Sequence, residues 1–227
     1  MSENWQDGTR WRHIQVCQQN VNKSLISQLD LLVSLRCNTY DICTIQEPYI
    51  NLNGKSQATQ QWITIYPNTH KDHPQAMRAA ILINTNISMD AWKQVQFQHP
   101  DITVIELTGE FGMLHIINIY NDCNNNGTLT HLSAYMWDCE WQRYTTGPLH
   151  TLWLGDFNYH HPLWDKARNT HLFMKENLEL MQPLLNMLGR HNMKMALPAY
   201  TPTLQSHSTG NHTRVDNIFC TQVYWMW

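Results

Sequence analysis

A short apolar run that stops at two polar side chains is the feature that most constrains this 227-residue chain. The run Leu152–Leu154 is followed at once by Gly155, Asp156, Phe157 and Asn158. An apolar run closed by a glycine is typical of a strand buried on both faces, and functional groups often follow such strands. Asp156 and Asn158 are two residues apart, so they are predicted to point the same way. A carboxylate beside an amide suits Mg²⁺ and phosphate oxygens, although an Asx turn after a strand is the alternative interpretation.

Four other predicted strands also carry a polar side chain at or near one end. They are Ile14–Cys17, followed by Gln18 to Asn20; Asp41–Ile45, followed by Gln46 and Glu47; Leu114–Ile119, followed by Tyr120 to Asp122; and Val215–Phe219, which contains Asp216. Pro48 excludes Glu47 from the helical region and ends its strand. Five strands are therefore predicted to deliver polar groups from their ends.

Taken together, five ordered motifs resemble the endonuclease/exonuclease/phosphatase superfamily, most closely the apurinic-type endonuclease domain of non-LTR (LINE-like) retrotransposons. They are QQN (18–20), QEP (46–48), NIYND (118–122), GDFN continued by YHHPLWD (155–165) and TRVDNIF (213–219). The pattern covers residues 13–221, between a polar tail (1–12) and an atypical tail (222–227). The resemblance implies an α/β four-layer sandwich, in which two mixed β-sheets pack face to face with helices outside.

The resemblance also implies a metal centre. Glu47 would be the principal ligand of Mg²⁺, for which Mn²⁺ is a possible substitute, and Asn20 would share the metal or orient its bound water. Asp156 would orient and deprotonate the attacking water, and Asn158 would hold the phosphate. A divalent cation and fixed donors would offset the negative charge that builds up as a phosphodiester reacts.

Further roles follow from the same resemblance. Tyr120 would donate a hydrogen bond to a phosphate oxygen or to the leaving group. Asp216 would act through a histidine that contacts the scissile phosphate. Three more side chains are expected to contact the substrate: Arg78, Asn121 and His161.

The sequence departs from the family after Asp216. Relatives carry a further strand with a Ser/Thr-Asp-His motif, whereas this sequence continues only as Gln222 to Trp227 and has no such motif there. His160 and His161 belong to the loop after Asn158 and are not assigned to the missing role. We therefore expect the last strand of the sandwich to be lacking, which would weaken fold and catalysis together.

Three functions remain open on this evidence. The favoured one is a Mg²⁺-dependent, retrotransposon-derived endonuclease that nicks double-stranded DNA. A phosphatase or phosphodiesterase of the same superfamily would share Glu47, Asp156 and Asn158. The third is a truncated, catalytically inactive remnant, which the absent histidine favours.

Composition limits the partners and the location. The formal net charge is −3 and the 15 Lys and Arg residues are scattered, so any DNA contact must come from a local patch and should be weak and salt-sensitive. Six cysteines without a CxxC pair indicate reduced thiols. No apolar stretch approaches a membrane span, so we expect the protein in the nucleus or cytoplasm. We also expect a monomer, and the resemblance leaves open a former fusion to a reverse transcriptase.

Three helices are predicted from apolar periodicity. The first, Ser24–Arg36, is expected to cover a sheet with an apolar set made of Leu25, Ile26, Leu29, Leu32 and Val33. The second is expected to begin at a Thr128 or Thr130 cap and run to about Arg143. The third, about Thr170 to Leu188, is expected to end at Gly189 and to be kinked or split at Pro183.

Overall fold

The computed structural model describes residues 14–36, 38–109, 111–146, 149–206 and 210–221, with the side chains of residues 140–146 left out. The two predicted tails, 1–12 and 222–227, lie outside these ranges. The described strands are, in chain order, β1 Val16–Asn20, β2 Ile42–Gln46, β3 Trp62–Ile65, β4 Ala79–Asn84, β5 Trp92–Val95, β6 Ile102–Gly109, β7 Gly112–Tyr120, β8 Leu149–Asp156, β9 Met193–Met195, β10 Leu204–Gln205, β11 His212–Thr213 and β12 Asp216–Thr221. The described α-helices are α1 Leu25–Ser34, α2 Gly127–Thr146 and α3 Lys175–Arg190.

Two mixed sheets form the centre of the molecule. One has the strand order β1-β2-β4-β3 and the other β5-β6-β7-β8-β12-β9, while β10 and β11 form a small hairpin. The pairs β1–β2 and β7–β8 are parallel, and the remaining neighbours are antiparallel. The two sheets share a core that includes Ile42 and Ile81 from the first and Ile105, Ile116 and Leu154 from the second.

Helices cover the outer face of each sheet. On the first sheet, Leu31 and Leu32 of α1 pack against Ile45 and Leu82. On the second, α2 and α3 contribute a larger core centred on Trp153, to which they bring Leu132, Met136, Met181 and Leu184. The order helix, sheet, sheet, helix confirms the predicted four-layer α/β sandwich.

The strands at the predicted motifs extend further than the apolar runs indicated. The QQN motif lies inside β1, whereas the sequence placed it after a strand at Ile14–Cys17. Strand β8 continues through Gly155 to Asp156 and is buried along almost its whole length. The backbone of a polar residue makes the same ladder hydrogen bonds as the backbone of an apolar residue. A strand end predicted from hydrophobicity alone therefore falls too early in the sequence.

The buried face predicted for α1 was largely wrong. Leu25, Ile26, Leu29 and Val33 are exposed, and only Leu32 of the predicted apolar set is buried. Instead, the fully buried Gln28 turns inward. Its Nε2 donates to Ser56 Oγ and to the Gln57 carbonyl, both at 2.6 Å, and its Oε1 accepts from the Tyr49 N–H at 2.7 Å. These three hydrogen bonds fix the rotation of the helix, leaving an apolar stripe toward solvent.

The other two helices differ from prediction at their ends. Helix α2 begins at Gly127, ahead of both predicted threonine caps. Helix α3 begins at Lys175, because the preceding residues Ala167–Leu172 form a separate 3₁₀-helix. It runs unsplit through Pro183 and continues past Gly189 to Arg190, so the predicted end at Gly189 was wrong. Of the two alternatives at Pro183, the split is excluded and the kink stays a prediction.

None of the helices in the described part of the chain combines the length and apolarity that a membrane span requires. Cys17, Cys43, Cys123, Cys139 and Cys220 are free thiols, in agreement with the prediction for these five.

Candidate active site

Five strands bring polar side chains to one edge of the sandwich. Parallel pairing of β1 with β2 places Asn20 opposite Gln46, directly before Glu47. Parallel pairing of β7 with β8 places Tyr120 opposite Asp156. Antiparallel pairing of β12 with β8 places Asp216 opposite the same Asp156. Residues far apart in the sequence therefore meet because the functional ends of their strands share one edge.

Asn20 joins two of the carboxylates. Its Nδ2 donates to Asp156 Oδ2 at 2.9 Å and to Glu47 Oε2 at 3.3 Å. Its Oδ1 accepts from the backbone N–H of Asn22 at 2.8 Å, which fixes the orientation of the amide. Asn20 thus holds Glu47 and Asp156 at a defined separation across the two sheets.

The backbone at the edge adopts conformations that non-glycine residues seldom take. Glu47 has φ 47° and Asn158 has φ 54°, both in the left-handed region. The Glu47 N–H donates to the Arg78 carbonyl at 2.8 Å, and the Glu47 carbonyl accepts from the Lys23 N–H at 2.7 Å. The Asn158 N–H donates to Asp156 Oδ1 at 2.9 Å. Strained residues of this kind cluster at functional sites, where neighbouring contacts hold them in place.

The electrostatics of the edge are dominated by negative charge. Burial raises the pKa of Asp156, with a smaller contribution from Glu47. Burial and the nearby Asp156 raise the pKa of Asp216 to about 7. Burial, Glu47 and Asp156 raise the pKa of the Tyr120 phenol to about 12. Since no ion pair joins Glu47, Asp156 or Asp216 to a described basic side chain, the site favours an added cation.

The donor set fits a hard divalent cation. Mg²⁺ prefers oxygen ligands and is often held by one or two carboxylates, here Glu47 and Asp156, with water and substrate phosphate completing its shell. The Asn20 oxygen already accepts from the Asn22 N–H, so the metal contact predicted for Asn20 stays a prediction. Within the described ranges, no three His, Cys, Asp or Glu side chains form an all-protein ligand cluster.

Arg78 braces Tyr120 from one side. Its Nε and Nη2 donate to the two oxygens of Asp101 at 2.7 and 2.6 Å, and its Nη1 donates to Asp122 at 2.8 Å. The guanidinium carbon lies 4.6 Å from the centroid of the Tyr120 ring. Hydrogen bonding to Asp101 is the main cause that raises the pKa of Arg78, although burial opposes it. Its charge is matched by two carboxylates, and its described contacts are with Asp101, Asp122 and the Tyr120 ring. The predicted substrate contact stays a prediction.

Asn121 and Asn158 connect the ends of β7 and β8. Asn158 Nδ2 donates to the Asn121 carbonyl at 2.8 Å, and Asn121 Nδ2 donates to the Phe157 carbonyl at 3.1 Å. Asn121 is fully buried, while Asn158 is only half-buried and lies beside the Tyr120 hydroxyl. Asn158 is thus the better placed of the two for a phosphate, with Asn121 as its support.

The chain matches known nucleases in sequence pattern and in structure. Residues 114–224 match the family model described as endonuclease-reverse transcriptase. The endonuclease domain of TRAS1, a telomere-specific non-LTR retrotransposon, is 18% identical over 92% of this chain and 86% of that one, with a TM-score of 0.62. The AP endonuclease LMAP from Leishmania major is 11% identical over 92% and 79%, with a TM-score of 0.68.

A further match fixes the architecture. An endonuclease/exonuclease/phosphatase family protein from Leptotrichia buccalis is 12% identical over 92% of this chain and 88% of that one, with a TM-score of 0.56. The chain therefore has the fold of these nucleases and of this endonuclease/exonuclease/phosphatase family protein. The resemblance inferred from the five motifs is confirmed at this level. None of the curated proteins matches the sequence.

The histidines of the GDFN continuation make their hydrogen-bond and ring contacts within their own loop. His160 Nδ1 lies 3.1 Å from Asp165 Oδ2, and His161 Nδ1 accepts from the Leu163 N–H at 3.1 Å. The His161 ring also packs on Trp164, with 5.3 Å between the centroids, and its burial lowers its pKa. Contact of His161 with substrate stays a prediction.

The residue that sequence reasoning missed is Gln18. Its Nε2 donates to Asp216 Oδ1 at 3.0 Å, a contact that the resemblance did not imply. The period of two between Gln18 and Asn20 was the available signal, since it puts both amides on one face of β1. The signal did not identify the partner of Gln18, because Asp216 lies 198 residues further along the chain.

Proposed function

We propose that the chain is a Mg²⁺-dependent endonuclease that hydrolyses phosphodiester bonds of double-stranded DNA and derives from a retrotransposon. The observation that carries this proposal is the bridge from Asn20 to Glu47 and Asp156, with Asp216 opposite Asp156 and no ion-pairing cation among the described side chains. Such a cluster is costly unless a cation and an anionic substrate use it.

Glu47 would hold the cation, and Asn20 would keep it close to Asp156. When bound, Mg²⁺ would offset the negative charge of the phosphodiester and of its transition state, and Mn²⁺ could replace it. Glu47 is half-buried and faces the open edge, which leaves room for water and phosphate oxygens.

The remaining roles belong to the chain's own side chains. Asp156 would orient the attacking water and accept its proton, because burial raises its pKa and makes it a stronger base than an exposed carboxylate. Asn158 would donate its amide N–H to a phosphate oxygen. Tyr120 would donate its hydroxyl, which the raised pKa keeps protonated at neutral pH.

The DNA substrate and the retrotransposon origin are supported by the comparisons. The match to a model described as endonuclease-reverse transcriptase favours both the substrate and the origin. The structural similarity to TRAS1 and to an AP endonuclease favours them as well. Lys23 is exposed beside Glu47 and provides a local positive charge at the rim. With a net charge of −3, we expect DNA binding to weaken steeply with salt.

The test is nicking of supercoiled plasmid by the purified chain with Mg²⁺, with EDTA, and with Asp156→Asn. Asp90→Asn is the matched control, because Asp90 is an exposed carboxylate away from the edge. We expect nicked circles with the wild type and Asp90→Asn, and at least a 100-fold loss with Asp156→Asn or EDTA. Folded wild-type protein that leaves plasmid intact but hydrolyses a phosphomonoester would support a phosphatase. Folded protein without either activity would support an inactive remnant.

A further inference from the structure

We propose that Gln18 is a positioning residue of the active site and that it acts through Asp216. This inference rests on the proposed function, since positioning is defined by its effect on phosphodiester hydrolysis. The Gln18 amide would fix the direction of the Asp216 carboxylate beside Asp156, the group proposed to activate water.

Strand β1 carries a short row of amide donors aimed at three carboxylates. Gln18 donates to Asp216 at 3.0 Å, while Asn20 donates to Asp156 at 2.9 Å and to Glu47 at 3.3 Å. The three carboxylates come from different strands, so one strand of the first sheet fixes groups from both sheets. The intervening Gln19 is exposed on the opposite face of β1 and has no such contact.

The position of Asp216 is what gives this contact a consequence for catalysis. Asp216 is opposite Asp156 in the β8–β12 register, and its own backbone N–H donates to Thr203 Oγ1 at 3.2 Å. The backbone is therefore fixed by the strand and by Thr203, and two side chains, Thr203 and Gln18, hydrogen-bond with the Asp216 carboxylate. Without Gln18, the Asp216 carboxylate would lose one of its two side-chain donors and would be freer to rotate away from Asp156.

An amide also differs from an imidazole as a partner. Glutamine has no titration near neutral pH, whereas a histidine changes its charge there. Gln18 therefore keeps its own charge and its donor N–H across the working pH range, but it can carry no proton to the reaction. Its role is orientation of Asp216 and not acid or base catalysis.

The experiment measures kcat and KM for nicking with Gln18→Met, Gln18→Leu, Asp216→Asn and the double variant Gln18→Met/Asp216→Asn. Gln19→Met is the matched control, one residue away on the exposed face. Both Gln18 variants remove the donor, and thermal melting identifies one that fails to fold. We expect Gln18→Met to lower kcat about 10-fold or more with KM within twofold, and Gln19→Met to match the wild type. The double variant should be no slower than Asp216→Asn alone.

Several outcomes would overturn the proposal. If the wild type nicks DNA and both folded Gln18 variants match it, Gln18 has no positioning role. If the losses from Gln18→Met and Asp216→Asn multiply in the double variant, Gln18 does not act through Asp216. If the folded wild type does not nick at all, the proposed function itself fails and the role of Gln18 in it fails too, an outcome that the wild-type measurement alone distinguishes.

Discussion

Asp156 and Asp216 lie directly opposite each other across the antiparallel pair β8–β12. Burial raises the pKa of both carboxyl groups, and the pKa of Asp216 reaches about 7. Two like charges at one strand end are a cost to the folded protein whenever both are ionised. Without metal, the repulsion between the two carboxyl groups is avoided only while one of them keeps its proton.

The first prediction is that stability falls as pH rises. Between the ordinary aspartate pKa near 4 and about 7, Asp216 binds more protons in the folded state than in the unfolded state. The free energy of unfolding should therefore be largest at the acid end of this window and decrease as pH rises through it. Asp216→Asn should flatten the slope of the unfolding free energy against pH, while Asp90→Asn should leave that slope unchanged. Urea unfolding at several pH values, without metal, measures the pH dependence of the free energy of unfolding. An unchanged slope in Asp216→Asn would contradict the assignment of this dependence to Asp216.

The second prediction concerns metal binding. A cation that binds only the folded state adds about 2.7 kcal/mol at 100 times its Kd. That energy corresponds to a rise in Tm of several degrees for a domain of this size. Mg²⁺ should therefore raise the Tm of the wild type, and Glu47→Gln should remove most of the rise. Glu176→Gln, on the exposed first turn of α3, is the control. A full shift in Glu47→Gln would place the metal elsewhere.

The motifs predicted the fold better than they predicted the contacts. Polar residues at five strand ends indicated one functional edge, because strand ends in a sandwich meet there, and the structure brings Asn20, Glu47, Tyr120, Asp156 and Asp216 together. Which of them touch depends on register between strands far apart in sequence. The hydrogen bond from Gln18 to Asp216 is an example that periodicity alone does not reveal.

Helix α1 shows a second limit of sequence reasoning. Apolar residues occur on more than one of its faces, so periodicity did not select the buried one. The deciding group is Gln28, a polar residue whose partners come from the loop of residues 49–57. A hydrophobic pattern gives no weight to such a buried amide, although leaving its partners unpaired is costly.

The third prediction follows from this helix. Gln28→Leu should destabilise the protein by about 2 to 4 kcal/mol, because it removes three hydrogen bonds of a fully buried amide and leaves the part-buried Tyr49 N–H and Ser56 hydroxyl without their partner. Val33→Gln should change stability by less than about 0.5 kcal/mol, because the Val33 side chain is 85% exposed. Denaturant unfolding compares the two variants. Equal losses would mean that the stripe including Val33 is buried in solution.

The fourth prediction concerns the support of Tyr120. Arg78→Lys keeps the charge but loses the paired hydrogen bonds to Asp101 and the stacking on the Tyr120 ring. We expect a loss of about 2 to 4 kcal/mol in stability, since Asp101 is buried and left poorly paired. A double-variant cycle with Asp101→Asn measures the coupling, which should exceed about 1 kcal/mol. Additive losses would show that the ion pair contributes little.

The last prediction concerns the glycine that opens the GDFN motif. A Cβ added at Gly155 would lie 1.9 Å from the carbonyl oxygen of Ile119, so the parallel strands β7 and β8 would have to separate. Gly155→Ala should therefore cost more than about 4 kcal/mol or prevent folding, an exceptional effect for one methyl group. Gly189→Ala, inside α3 with nothing within 4 Å of the added Cβ, should instead stabilise by about 0.5 to 1 kcal/mol. Soluble yield and urea unfolding distinguish the two, and a stable Gly155→Ala protein would show that β7 and β8 do not pack this closely beneath Asp156.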